Sequence, residues 1–435
     1  MVEVQRSLTV VARIEPDRLD ELTSLLVGIG ADVRGNEVIP LSLLGTIHFA
    51  RFVILPEAVD LEGTLIPPTL IFSTNFDGSK KRHLESLVDL TGAGLDQIFS
   101  HCEGYPESGQ RTSKARLAYL RKSSVRTQAF YVNTVGRTVQ QVADEARLRR
   151  EIEGFLDERD WTNEDAESVH RKIGEFVRAD ETLSWALERP SSDLGLRLWR
   201  GFKVGLLVLL GLAGVGLGVL LPVLGILALL LLVLFLLVLR VFEVFNYPEN
   251  IRPSSKRLEE NESDEDLRLQ NELTAYGDLQ KGLFRRLLVR VLFWVLNFGA
   301  RNIFYRGQLA GVDTIHFARW TMIDRGRRVF FFTNYDGSLD SYNNDFVDRI
   351  AFGLNEAFGS GNGWPLTFLI LFRGANDEQA FKFYLRNHQI HTLVWYVAPA
   401  YDGVTAVNAI RNSKIRAGVA RSLRGRRAQE WLRLL

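Results

Sequence analysis

Two histidines, His48 and His316, occupy matching positions in GTIHFARFVILP (45–56) and DTIHFARWTMID (313–324). An imidazole can ligate haem iron or act as a general base. An arginine follows three residues later in each copy, Arg51 and Arg319. Each copy then carries an Asn-aromatic-Asp-Gly run, with Asn75, Asp77 and Gly78 in the first and Asn334, Asp336 and Gly337 in the second. Each residue also has a plainer structural use. A histidine on a strand can bond a neighbouring strand or helix. Arg51 can pair with Asp77, and Arg319 with Asp336, across a hairpin. Asp77 or Ser79 can cap a following helix, Gly78 permits an unusual φ, and the asparagines can satisfy turn backbone. Motifs kept in both copies suit architecture, since a twofold fold needs the same corner twice and catalysis usually needs one site. Strand alternation predicts His48, Ala50 and Phe52 on one face, with Ile47, Phe49 and Arg51 on the other, so His and Arg are not expected to share a cavity.

The similarity reaches beyond the shared Ile-His-Phe-Ala-Arg. TLIFSTNFDGS (69–79) matches VFFFTNYDGS (329–338), and GYP (104–106) matches GWP (363–365). YLRKSSVRTQAFYV (119–132) matches YLRNHQIHTLVWYV (384–397), and RSLTVVARIEPDRL (6–19) answers NELTAYGDLQKGLF (271–284). In the first copy SLTVVARI is β-rich, and Leu19, Leu22, Leu25 and Leu26 have helical spacing. TIHFARFVIL and TLIFSTNF read as a hairpin across Pro67 and Pro68. A helix interrupted by Gly92 and Gly94 follows, then the strand TQAFYVNTV and the helix TVQQVADEARLRREIEGFLDE. The order β-α-β-β-α-β is the split βαβ, or ferredoxin-like, unit. The second copy repeats it and adds LTFLILF (366–372), an expected extra strand.

Between the copies, residues 204–239 form 36 consecutive positions without a charge, which excludes a soluble core helix. One straight helix would run about 54 Å against about 30 Å of hydrocarbon. Split near Gly218–Pro222, the block gives two segments of about 17 residues, each about 26 Å long. Both flanks are basic: Arg197, Arg200 and Lys203 before, and Arg240, Arg252, Lys256 and Arg257 after. The positive-inside rule then puts both flanks in the cytoplasm, as a helical hairpin allows; a kinked single span is the alternative. Gly211, Gly214, Gly216 and Gly218 would allow close helix packing and leave a homo-oligomer open. LFRRLLVRVLFWVLNFGARNIFYRG (283–307) is too charged to span, and its apolar bulk with Arg285, Arg286, Arg290 and Arg301 suggests an interfacial helix on an anionic leaflet. A buried helix with snorkelling arginines is the alternative.

The expected organisation is a first repeat over 1–156, a charged helical connector over 157–200 and the hairpin over 201–245. A polar linker over 246–270, a second repeat over 271–425 with its interfacial helix at 283–305, and a tail over 426–435 complete it. The formal net charge is +1, so no overall field selects nucleic acid. The single cysteine, Cys102, excludes an intramolecular disulfide. The start, MVEVQRSLTVVARIEP, lacks the pattern of a secretory signal peptide. His388 and His391 are three apart without further ligands, and the first copy has Ser123 and Arg126 there. No Gly-rich phosphate loop, Cys/His metal cluster or Gly-x-Ser-x-Gly elbow occurs.

The segments TIHFARW, FFFTNYDGS and FKFYLRNHQIHTLVWYV resemble a bacterial family whose members carry a PTIHFARW…SNYDGSW core beside apolar segments. The resemblance covers 270–415 well and the first repeat less well. More distantly, the expected architecture resembles the fold of dye-decolourising peroxidases and chlorite dismutases. That resemblance implies haem held by a histidine, here His316 or His48. It also implies a distal Asp with an Arg in a Gly-x-x-Asp-Gly motif, of which NFDG and NYDG keep only Asp-Gly. The expected fold class is α+β: two ferredoxin-like repeats packed as an intrachain pseudo-dimeric α/β barrel, with an inserted transmembrane hairpin. Both repeats and both termini would lie on the cytoplasmic side of the inner membrane. A cavity between the two sheets would hold an apolar or lipid-derived small molecule or dock a partner protein; a haem-dependent peroxidase-like enzyme is the alternative.

Overall fold

The computed structural model describes residues 5–188, 194–249, 251–255, 258–259 and 268–435. The first half runs β1 (Gln5–Arg13), α1 (Leu19–Ala31), β2 (Ile47–Leu55), β3 (Ala58–Val59), β4 (Leu65–Ile66), β5 (Thr69–Asp77), α2 (Lys80–Phe99), α3 (Ser113–Lys122), β6 (Thr127–Val132) and α4 (Val139–Asp157). Then come α5 (Ala166–Ala179), α6 (Leu194–Leu220) and α7 (Pro222–Val244). The second half runs β7 (Gln270–Asp278), α8 (Leu283–Asn302), β8 (Ile315–Ile323), β9 (Arg328–Asp336), α9 (Leu339–Phe358), β10 (Thr367–Phe368), β11 (Phe372–Arg373), α10 (Glu378–His388), β12 (Val394–Val397), α11 (Ala406–Val419) and α12 (Arg426–Leu432).

Local chemistry explains the element ends. The Ser79 hydroxyl accepts from Arg82 N at the start of α2, and Ser338 does the same for Ser341 N at the start of α9. The preceding Gly78 and Gly337 have φ of 87° and 82°, a region that side chains disfavour. Thr138 and Gln141 form a capping box at α4. In α1 the buried Leu22, Leu26 and Ile29 follow helical spacing.

Two four-stranded antiparallel sheets result, ordered β1-β5-β2-β12 and β6-β8-β9-β7. Each takes three strands from one half and its fourth from the other. Just before the exchanged strands, the chain bonds the first strand of its own half. Val11 N donates to Ser123 O (2.9 Å), Val125 N to Thr9 O (2.9 Å) and Ile390 N to Thr274 O (2.8 Å). These bonds tie the middle of β1 and of β7 to the segments that lead into β6 and β12. Helices cover the outer faces. The inner faces meet through Val53, Leu55 and Ile71 on one side and Ile323, Phe330 and Phe332 on the other.

Several elements differ from expectation. α2 runs through Gly92 and Gly94, with its kink at Thr91 (φ −127°, ψ 20°); α9 has the same kink at Ile350 (φ −138°, ψ 24°). Residues 366–372 do not form an extra long strand, because Leu369 and Ile370 adopt φ of 51° and 64° and fold the segment into the two-residue pairs β10 and β11. The connector and tail belong to one packed unit: Val169, Ile173 and Val177 of α5 bury against Ile415 and Val419 of α11 and Trp431 of α12. Most of the polar linker within 249–268 lies outside the described residues.

α6 and α7 are long and apolar enough to cross a membrane. Their 27 and 23 residues correspond to about 40 and 34 Å. They outreach the expected segments because helix continues into the basic flanks. The break falls at Leu221, with Pro222 opening α7 where its missing N–H costs nothing. A Cβ on Gly225 would lie 2.3 Å from the Gly218 carbonyl, so this tight crossing requires glycine. α6 buries no residue and α7 only Leu239 and Glu243, unlike a soluble core helix.

α8 lies between the bases of these helices. Phe284 stacks on Phe242 of α7 (4.9 Å), and Tyr305, just past α8, sits under Arg200 of α6 (4.2 Å). Leu283, Leu287, Val291 and Trp294 form an exposed apolar stripe along it. Leu366, Phe368, Leu371 and Phe372, around β10 and β11, are exposed as well. The buried Glu243 carboxylate holds that turn to α7, accepting from Thr367 Oγ1 (2.8 Å), Leu369 N (2.9 Å) and Ile370 N (2.6 Å).

Candidate functional site

His48 is fully buried with both ring nitrogens engaged. Nε2 meets Asp77 Oδ1 at 2.9 Å and Nδ1 meets Tyr401 Oη at 2.7 Å. A tautomer with hydrogen on Nε2 satisfies both, donating to the carboxylate and accepting from the phenol. Burial, with Asp77 and Asp336 nearby, pushes the Tyr401 hydroxyl well above its ordinary value and keeps it a donor. The other Asp77 oxygen accepts from Val139 N at the start of α4 (2.8 Å). The second copy repeats the clamp: His316 Nε2 meets Asp336 Oδ1 (2.7 Å), and Asp336 Oδ2 accepts from Ala406 N at the start of α11 (2.7 Å). Neither aspartate caps the helix that follows its own strand; each holds a later one.

Alternation fails at both histidines. Strand register slips between Ile47 and Phe49 and between Ile315 and Phe317, so each His is the extra residue of a β-bulge. His48 and Phe49 consequently both meet Phe317 of the facing sheet, at 5.1 and 5.7 Å between ring centroids. The expected separation of His48 from Phe49 and Arg51 does not hold.

The arginines do not pair with Asp77 or Asp336. Each crosses between the sheets. Arg51 Nη1 donates to Leu273 O (3.1 Å) and Nη2 to Thr333 O (3.0 Å), while Arg319 Nη1 donates to Leu8 O and Thr74 O (both 3.0 Å). Arg51 further meets Glu272 Oε2 (2.5 Å), Thr274 Oγ1 (2.9 Å) and Asn334 Oδ1 (2.5 Å). Both guanidiniums lie over the Phe332 ring, at 5.6 and 4.8 Å. Burial, and then the like charge of Arg51, pushes the Arg319 guanidinium well below its ordinary value. Asn75 and Asn334 sit within the paired strands β5 and β9, so they serve no turn.

The inter-sheet space expected to hold a ligand is therefore occupied by two arginines and Phe332. Haem iron would need a free imidazole nitrogen with room beside it. His48 has no free nitrogen, and His316 is wedged between Phe49 (5.4 Å) and Tyr401 (5.2 Å). These residues do not fit a haem. Among the described residues no group of His, Cys, Asp and Glu could hold a metal ion. His388 instead stacks on Tyr384 and bonds its carbonyl (2.8 Å), and burial pushes the Cys102 thiol up to about 12.

An apolar cavity lies elsewhere, on the outer face of the second sheet between α8 and α9. Its volume is about 250 Å³, and Leu296, Ile303, Phe304, Trp320, Phe352 and Glu356 line it. Two buried polar atoms on its lining residues, Trp320 Nε1 and Glu356 Oε1, have no hydrogen-bond partner. Burial raises the Glu356 carboxyl above its ordinary value and favours the protonated form. An apolar slot with one indole donor and one carboxyl suits a hydrophobic molecule carrying a single polar end. Sequence reading missed it, because Trp320 and Glu356 are far apart in the chain and Glu356 reads as one more polar position on a helix. No family model, curated protein or solved structure matches the chain.

Proposed function

We propose that this chain is a membrane-anchored α/β barrel that binds an apolar or lipid-derived molecule between α8 and α9. In this reading two ferredoxin-like units exchange their last strands and close on each other, and the α6–α7 hairpin enters the bilayer and returns. Both units then lie on the cytoplasmic face. The exposed stripe of α8 and the aromatic turn at 366–373 rest in the interface, where apolar side chains leave water and α8's arginines meet anionic headgroups. The observation that carries the ligand reading is the 250 Å³ cavity with its two unpartnered polar atoms, walled on one side by the helix that bears the stripe. A molecule could enter from the bilayer without crossing water.

The test uses the full chain in nanodiscs and a bromine-labelled fatty acid as quencher. The part of the tryptophan emission that disappears in Trp320→Phe should be quenched in the parent chain and spared in Gly299→Leu, whose side chain fills the cavity. Equal quenching of that component in both proteins would place the quencher elsewhere and end the ligand reading.

A further inference from the structure

The two crossing arginines sit in matching frames but unequal company. Ser7-Leu8-Thr9 of β1 corresponds to Glu272-Leu273-Thr274 of β7, and Ser7 faces Asn75 in register as Glu272 faces Asn334. Around Arg51 the network is complete: the Glu272 carboxylate, the Thr274 hydroxyl, which also donates to Glu272 (3.1 Å), and the Asn334 carbonyl all take part. Around Arg319 the carboxylate is missing, because Ser7 stands in its place. The consequence is a cluster of buried groups with no partner: Arg319 Nε and Nη2, Thr9 Oγ1 and Asn75 Nδ2. Arg319 is 1% exposed, Thr9 0% and Asn75 4%. Leaving such groups unpaired is expensive, and a buried guanidinium without a counter-charge especially so.

Ser7 also lines a cleft of about 500 Å³ at the seam where β1 and β6 diverge. Four cations line it, Arg6, Lys80, Arg126 and Arg301, and none of its lining residues is Asp or Glu. Phe130, the register partner of Arg319, forms part of the same wall. Lys80 is the first residue of α2, so the positive end of that helix adds to the field. Arg301 is exposed at the rim of the cleft; partial desolvation, and then the like charge of Arg6, push its guanidinium down, as expected of cations gathered without a counter-charge.

We propose that this seam cleft binds a phosphate-bearing anion, one of whose oxygens completes Arg319 as the Glu272 carboxylate completes Arg51. Four cations around a cleft of this size exceed what a lone carboxylate needs and suit a phosphate group, whose several oxygens can each accept from a different cation. The phosphate could belong to a soluble ester or to a lipid headgroup, since Arg301 stands on the helix proposed to lie at the interface. The site is separate from the apolar cavity and does not depend on it.

The test measures binding to the full chain in maltoside micelles, with inorganic phosphate as one probe and phosphatidylglycerol vesicles as the other. Ser7→Glu supplies the missing carboxylate, so it should weaken binding by about tenfold or more and raise the melting temperature without ligand. Arg126→Gln should weaken binding without that thermal gain, and Arg424→Gln with Arg427→Gln, two exposed residues at the start of α12, should leave it unchanged. Phosphate binding with this pattern supports a soluble ligand; the pattern with vesicles alone supports a headgroup. No binding of either probe, unchanged binding in Ser7→Glu, or equal loss in the C-terminal variant overturns the proposal.

Discussion

A buried histidine bonded on both sides is a fastener, and its removal reads out as stability. His48 joins a strand of the first half to Tyr401 of the second and, through Asp77, to the start of α4. His48→Ala leaves a carboxylate and a phenol without their partner and should cost about 1–3 kcal/mol. Tyr401→Phe removes one hydroxyl and should cost about 1 kcal/mol. Thermal unfolding in micelles checks the order; a neutral His48→Ala would mean that the clamp holds nothing. Glu356 carries a second prediction. Its folded carboxyl titrates above the unfolded value of about 4.3, so ionisation opposes folding as pH rises through the folded pKa. Below the unfolded value the carboxyl is neutral in both states. Glu356→Gln should therefore be more stable than the parent chain at pH 7, and the gap should close as pH falls below about 4. Melting temperatures of the two proteins across that range decide it, and a gap that widens on acidification would refute the sign.

Elements were legible where one local pattern decides them. The apolar block, its break near Pro222, the long strands and the Asp-Gly-Ser corners all follow from periodicity and backbone chemistry. Three features were hidden for physical reasons. A β-bulge changes which face His48 occupies, yet neither residue type nor spacing announces it. The exchange of β6 and β12 depends on which open edge is nearer in space, and both edges accept the same backbone bonds. The cleft at Ser7 is visible only by comparing the two halves, since a serine in a strand has no signature of its own. α8 was readable as amphipathic, but which of its sides is left exposed, and would meet a bilayer in the proposed reading, required its neighbours. That orientation predicts that a spin label at Val291 is accessible to dissolved oxygen and shielded from a water-soluble nickel chelate in vesicles, whereas a label at Arg424 shows the reverse. Equal nickel access at both sites would lift α8 off the membrane.

At the scale of the molecule, the strand exchange constrains the topology. Each sheet needs a strand from both halves, so both halves must stand on one side of any bilayer that α6 and α7 enter. An even number of crossings satisfies this; one crossing would separate β6 from β8 and β12 from β2. In the proposed reading, the basic residues at both ends of the helix pair put that side in the cytoplasm. The most direct test is cysteine labelling in intact cells with a membrane-impermeant maleimide, in a chain whose Cys102 is replaced by alanine. Cysteines placed at Glu107 in the first half and Arg424 in the second should stay unlabelled until the cells are lysed, while one at Leu221, in the break between the helices, should label at once. Labelling of Glu107 or Arg424 from outside an intact cell would contradict the account.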